Sequence, residues 1–472
     1  MQLFLGEDIG LANNGDGARL WCRFGIDVPQ RLSLDFTLAT NSARVCVQDA
    51  ATNIYTYPTS MSLMIRPVLT LYGLAISSSE FDIRYLGVLG ALSLGAIAAL
   101  AVHALPGRVW VKTTLVAISF ALWADIGFVS YLTSYYSDPA AFIGSAALLV
   151  VVARHARMDD HRLIDYLLVA VVALFAITAK AQLLVLVIPT VAMLLVMPWL
   201  VGRLTWRSMV GPILTAIVLV GGAAVYSNSD GSFFADANEY NSMFFGILAA
   251  SDDPVADLAE MGLPTSLAPY AGTNFFNPGG NAGDHPDYER FQQQMTRGKQ
   301  LRFLIRHPDR LLTMLGETIE AMPDFRVPYL GNYEGTGKGL SGTTAQAPLT
   351  DRWDPMSATL QGLRTGIAVW LPAVWLLAVS LGTGAAIRRR SDPVWRSYGM
   401  SAAFLGTSAI LAMLVTPIGD GYMELPKHTV LVVWLTAPLL AGLVVAVIAT
   451  AARAIRRPLD DRAVVHIGNR LD

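Results

Sequence analysis

The sequence predicts an all-α polytopic membrane protein of about nine spans, with large loops gathered on one face. Hydrophobic residues make up 53% of the 472 residues and charged residues only 15%, against about 25% charged in a soluble domain. The apolar residues fall in blocks close to the ~20 that a helix needs to cross a bilayer, and Lys and Arg collect in alternate short loops. Lipid offers the backbone no hydrogen-bond partner, so such blocks must be helical. This composition excludes a disordered chain and a water-soluble enzyme. A net charge of −2 gives no basic surface for nucleic acid. Two cysteines, Cys22 and Cys46, are too few for a disulfide framework or a four-ligand zinc site; whether they pair with each other stays open.

The expected spans run 85–105, 110–130, 139–153, 163–178, 181–201, 209–226, 366–387, 398–416 and 429–452. A further apolar stretch, Met61 to Ile76, carries Arg66 and Pro67 and reads as an amphipathic helix lying on the membrane. One set of loops, with the C-terminal tail, holds sixteen Lys and Arg, from Arg108 and Lys112 to Arg470; the opposite short loops hold only Lys180 and Lys427. The positive-inside rule then makes the C-terminus cytoplasmic. The organisation expected is an outer segment 1–84, a six-span bundle 85–226, a large, mostly helical outer loop 227–365, a three-span bundle 366–452 and a cytoplasmic tail 453–472. An outer N-terminal segment ordinarily follows a signal peptide or a first transmembrane helix. The expectation is therefore an upstream helix, giving ten spans, with a translocated N-tail as the other reading.

Chemistry is sought on the outer face, where polar groups exceed what packing needs. Asn13-Asn14-Gly15-Asp16-Gly17 is turn sequence, and Asp16 is either the cap of a helix starting at Ala18 or a carboxylate held at the membrane edge as base or metal ligand, with Glu7 and Asp8 as rivals. Asp125 lies within apolar sequence and is expected to face a polar cavity. Asp138-Pro139 can start a helix, or Asp138 can hold a divalent cation if one is used. Lys180, on the poorly basic side, either binds a lipid phosphate or snorkels to headgroups. Asp420, Glu424, Lys427 and His428 crowd into one short loop, as a site or as a solvated surface. In the large loop, Glu239 to Gly246 has an apolar helical pattern, Ser251-Asp252-Asp253-Pro254 caps another helix, and 288–306 and 308–321 read as two more. The Gly/Thr/Ser-rich run 335–347 reads as a flexible stretch, a mobile lid being one reading of it, and Gly335-Thr336-Gly337-Lys338-Gly339 fits no P-loop.

Several strings in order resemble one family: Ala12 to Asp16, Tyr131 to Asp138, Lys180-Ala181-Gln182, Glu239 to Phe245 followed by Ser251 to Pro254, Tyr329 to Glu334, and Gly419 to His428. Together they resemble the WsfD-type glycan-biosynthesis hexosyltransferases, which have the GT-C membrane glycosyltransferase architecture. The resemblance implies a GT-C-like bundle in a bacterial plasma membrane. Such an enzyme takes a sugar from a polyprenyl-phosphate-linked donor and attaches it to a glycan acceptor on the outer side. It implies that Asp16 is the catalytic acid, although the span expected before it is absent from the chain. Lys180, Lys427 and His428 would serve the donor phosphate, and Asp138 and Asp125 would be second acids or metal ligands. Gln182, Asp420, Glu424, Tyr240, Asn241, Asn332 and Glu334 would line the acceptor pocket. The metal is unknown, a divalent cation being one possibility, and the 61–76 helix would line the donor's access route. A lipid-linked-glycan transporter or a non-catalytic scaffold remain alternatives. The transferase reading expects Asp16, Asp138, Lys180 and the 420–428 cluster around one cavity.

Overall fold

A computed structural model describes residues 18–21, 24, 26–27, 38–41, 58–76, 80–229, 232–277, 279–326 and 353–468. All nine apolar segments are helical within it. Seven helices are long and apolar enough to cross a membrane: Arg84–Ala104, Asp138–Arg157, Ala181–Leu200, Trp206–Asn228, Ile367–Arg388, Pro393–Asp420 and Leu425–Ala452. The other two depart from expectation. Val109–Trp123 and Ile126–Leu132 meet at a 75° bend, and Leu163–Ile177 has only 15 residues, about 22 Å at ~1.5 Å per residue against a hydrocarbon core of ~30 Å. The nine expected spans therefore become seven full-length helices among the described residues, or eight with the bent pair.

The bend has a local cause. Asp125 is fully buried, and its carboxylate accepts from the backbone of Gly127 (2.7 Å) and from the backbone (2.8 Å) and hydroxyl (3.0 Å) of Ser357. It caps the Ile126–Leu132 helix and ties it to the Pro355–Gly362 helix, so its polar partners are these groups rather than the expected cavity. The last helix runs unbroken from Leu425 to Gly468, through much of the segment expected as a tail.

Outside the bundle, Ser62–Ala75 forms the expected helix. Met64, Ile65, Val68 and Tyr72 are buried, and its other face exposes Leu63, Leu71 and Leu74, so both faces are apolar. A small antiparallel sheet pairs Ile26 with Asn41 and Leu38 with Asp82. In the large loop, Asp253 caps Pro254–Glu260 through Ala256 N–H at 3.0 Å. The segment 288–306 is two helices, Tyr288–Gln294 and Arg297–Arg306, because the Thr296 hydroxyl caps a new start.

Close packing sets the bundle. A Cβ on Gly382 would lie 2.6 Å from the Gly399 carbonyl oxygen, and one on Gly399 2.5 Å from that of Gly382; small residues there let two spans approach closely. At mid-bundle Trp123 stacks on Trp434 with centroids 4.3 Å apart, and Phe142 lies on Trp434 at 4.4 Å. The indole N–H of Trp123 donates to the Trp434 carbonyl (2.9 Å) and that of Trp434 to the Ser145 hydroxyl (3.1 Å).

The arginine-rich loops meet at one end. Buried Arg396 donates to the carbonyls of Ala156, Arg157 and Arg390 and pairs with Asp159 at 2.6 Å, satisfying helix-end carbonyls that would otherwise be orphaned. Arg157 donates to the Ala104 carbonyl and Tyr398 to that of Pro106.

Candidate functional site

The candidate residues lie at the opposite end and arrive there on separate elements. Asp138 opens the Asp138–Arg157 helix with Pro139 in its first turn, as its sequence predicts. Lys180 stands just before the tight 3-10 start of the Ala181–Leu200 span, and its ammonium pairs with Asp138 at 2.9 Å. Gln182 reaches across the bundle, donating to the Thr416 hydroxyl (2.7 Å) and the His428 carbonyl (2.8 Å). Its own Oε1 is buried without a partner among the described residues.

The last loop completes the group. Lys427 is buried, pairs with Glu424 at 2.8 Å and lies 4.9 Å from the centre of the Tyr136 ring. His428 Nε2 is 3.3 Å from Asp420. The other Asp420 oxygen accepts from the Asn241 amide at 2.8 Å, and Asn241 Oδ1 accepts from Phe275 N–H at 2.8 Å. This joins the large loop to the membrane-edge residues. The crossing depends on Gly421, at φ +57°, where a Cβ would sit 2.3 Å from the Asn241 carbonyl oxygen. Tyr240 serves the interior of the large loop instead: its hydroxyl meets that of Thr273 at 2.7 Å and accepts from Ala282 N–H at 2.9 Å.

Two groups outside the sequence-derived set join the site. Glu239 is half-buried, and burial pushes its carboxyl above the usual glutamate range, with Arg297 opposing and Asp236 adding to the shift. Arg297 faces both Glu239 and Asp420 and donates to Gln300, whose amide in turn bonds Ser242. The Thr296 cap marks the start of the helix that brings Arg297 in, but nothing in its local sequence points to Asp420. Tyr422 lies alongside, its phenol pushed up to about 12 by burial and by Glu317.

The N-terminal segment is anchored to the same end. Trp21, in the Ala18–Trp21 helix, is buried and donates to the Tyr135 carbonyl at 2.9 Å. Thr59 and Ser60, before the Ser62–Ala75 helix, bond the carbonyls of Ala179, Phe175 and Thr178, next to Lys180. Asp16, Asn332 and Glu334 lie outside the described residues, as do Cys22, Cys46 and the 335–347 run.

Three contact groups, Asp138–Lys180, Glu424–Lys427 and Gln182–His428–Asp420–Asn241, thus lie at this end, joined to one another through the short stretches 180–182 and 424–428. Asp125 belongs to the bend and Tyr240 to the loop core. A large cavity of about 1000 Å³ lies elsewhere, between the spans at the arginine-rich end, and none of the predicted site residues lines it. No group of three or more His, Cys, Asp or Glu placed to hold a metal occurs among the described residues.

Fold and site define a mostly helical, polytopic membrane protein with ionisable groups gathered at one end of the bundle. The chain belongs to the YfdI N-terminal transmembrane domain family, which it matches over residues 1–464. No curated protein and no solved structure matches it.

Proposed function

We propose that this chain is a GT-C-type membrane glycosyltransferase. It moves a hexose from a polyprenyl-phosphate donor to a glycan or lipid-linked acceptor, on the extracytoplasmic face opposite the arginine-rich loops. The observation that carries the proposal is that two contact groups, Asp138–Lys180 and Gln182–His428–Asp420, lie at one end of the bundle, joined through the chain between Lys180 and Gln182. Bundle packing needs no such group of charges, and acids and bases held at a membrane face mark chemistry. The ordered resemblance to WsfD-type hexosyltransferases supports the same reading.

In this mechanism the acceptor hydroxyl oxygen attacks the anomeric carbon while the bond from that carbon to the phosphate oxygen breaks. The hydroxyl proton passes to a carboxylate, a role worth typically 10²–10⁴-fold, and polyprenyl phosphate leaves as the anion. Attack opposite the leaving group inverts the anomeric centre without an enzyme-bound sugar. Asp16 is assigned as the base; the anchoring of Trp21 beside Tyr135, close in sequence to Asp138, supports that assignment. Lys180, Lys427 and His428 supply cationic contacts to the departing phosphate, and Asn241, Asp420, Glu424 and Gln182 contact sugar hydroxyls. The twice-apolar Ser62–Ala75 helix, tied beside Lys180, flanks the route by which the lipid donor arrives from the bilayer.

The test is incorporation of labelled hexose from a polyprenyl-phosphate donor by the chain in vesicles. Wild type is expected to transfer, and Asp16→Asn to lose on the order of 10²-fold or more. Equal transfer by both would remove Asp16 from the mechanism. No transfer by either, with movement of donor between leaflets, would replace the transferase with a transporter.

A further inference from the structure

Trp123, which stacks on Trp434, lines the inner end of the large cavity. That cavity, about 1000 Å³, runs from Trp110 to Trp123 along one helix and from Pro438 to Ala452 along another, about 20 Å at ~1.5 Å per residue. This exceeds half of the ~30 Å hydrocarbon core. Three of its lining residues, Leu377, Leu381 and Leu443, are 55%, 68% and 52% exposed. The cavity therefore opens sideways between Ile367–Arg388 and Leu425–Ala452, onto a surface that meets lipid tails in a bilayer.

The chemistry changes at its outer end. Arg108 is exposed and lines the mouth, and its guanidinium makes no hydrogen bond or ion pair with a described residue. Trp110 and Trp395, both partly exposed, are the amphipathic rings expected at headgroup level. The guanidinium of Arg389 lies 4.6 Å from the centre of the Trp395 ring, bringing a second cation to the mouth. An apolar slot open to lipid tails, under a cationic rim, matches a lipid with an anionic phosphate headgroup.

We propose that this cavity is a binding site for an anionic phospholipid of the leaflet at the arginine-rich end, with an acyl chain in the slot and its phosphate at Arg108. The slot's length of about 20 Å, with Trp123 at its inner end, suits a chain of ordinary acyl length, whereas a long polyprenyl tail overruns it. This site is separate from the ionisable cluster and does not depend on the transferase reading.

The test uses the full chain purified in detergent and stripped of lipid, then incubated with equimolar dioleoyl phosphatidylglycerol and dioleoyl phosphatidylcholine. Lipid retained after washing is quantified by mass spectrometry. Wild type is expected to retain phosphatidylglycerol over phosphatidylcholine by about fivefold, the preference one arginine near the surface supplies, and Arg108→Gln to lose that preference. A Cβ on Gly442, which lines the slot, meets nothing within 4 Å. Gly442→Phe is therefore expected to fill the slot and abolish retention, and Gly442→Ala to fold and still retain lipid. No retention by wild type, equal retention by Gly442→Phe, or displacement of phosphatidylglycerol by added polyprenyl phosphate would each overturn the proposal.

Discussion

The ammonium of Lys180 lies 2.9 Å from Oδ1 of Asp138, and the two side chains are only 15% and 2% exposed. A buried pair contributes little net stability, but removing one partner strands a charge at about 3–5 kcal/mol. In the proposed transferase, Asp138 would position Lys180 for the departing phosphate. Lys180→Met and Asp138→Asn are each expected to lower the unfolding midpoint in detergent. The double variant should recover much of that stability while transfer stays down on the order of 10²-fold. Full transfer by the double variant would take the lysine out of phosphate binding.

Asn241 joins Asp420 to Phe275 N–H. Asn241→Ala leaves both partners short of a hydrogen bond, a loss of roughly 1–3 kcal/mol, and should expose the backbone around 271–285 to limited proteolysis. A digestion pattern identical to wild type would show that the large loop is held by other contacts.

Gly421 combines φ +57° with a 2.3 Å approach to the Asn241 carbonyl oxygen. Gly421→Ala carries backbone strain of about 1–3 kcal/mol in addition to that clash, and should displace Asp420 from His428. The expected result is a fall in transfer of tenfold or more, out of proportion to the change in thermal midpoint. A proportionate change in both would make Gly421 a packing residue alone.

Burial raises the Glu239 carboxyl above its ordinary range, and Arg297 only partly offsets this. Below about pH 4.3, the ordinary glutamate value, the group is neutral folded and unfolded and costs nothing. As pH climbs through the raised folded value the native state loses stability, because the unfolded chain ionises first. Glu239→Gln should accordingly unfold at a higher temperature than wild type at pH 8, with the gap closing by about pH 4. Melting curves across that range check it, and a gap that widens on acidification would reverse the sign.

Asp125 serves the bend rather than the ionisable cluster. Asp125→Ala should lose roughly 1–3 kcal/mol while transfer per folded molecule stays near wild type. Intact stability with a tenfold loss of transfer would instead place this carboxylate in the reaction.

The helices were legible because hydropathy and caps are local: Pro139 in a first turn and Asp253 at a cap both act where the sequence puts them. The break after Trp123 was hidden, since apolar residues continue on both sides and a buried cap resembles an isolated acid until its partner, Ser357, is known. The split at Thr296 was hidden by the helix-forming residues on either side. The ionisable loops could be named one by one, but their contacts were not readable. Gln182 meets Thr416 and His428 across separations of 234 and 246 residues, and Arg297 reaches Asp420 only through the packing of the large loop. The apolar cavity had no sequence signature, because its walls have the same composition as any lipid-facing helix.

The stacked indoles of Trp123 and Trp434 also bear on the membrane's voltage. The ionisable residues lie toward one end of the bundle and the apolar cavity toward the other, and a continuous water path through the protein would leak ions, since each elementary charge crossing 100 mV releases about 2.3 kcal/mol. Rings stacked with centroids 4.3 Å apart leave no room for water between them, so this pair contributes to sealing the bundle.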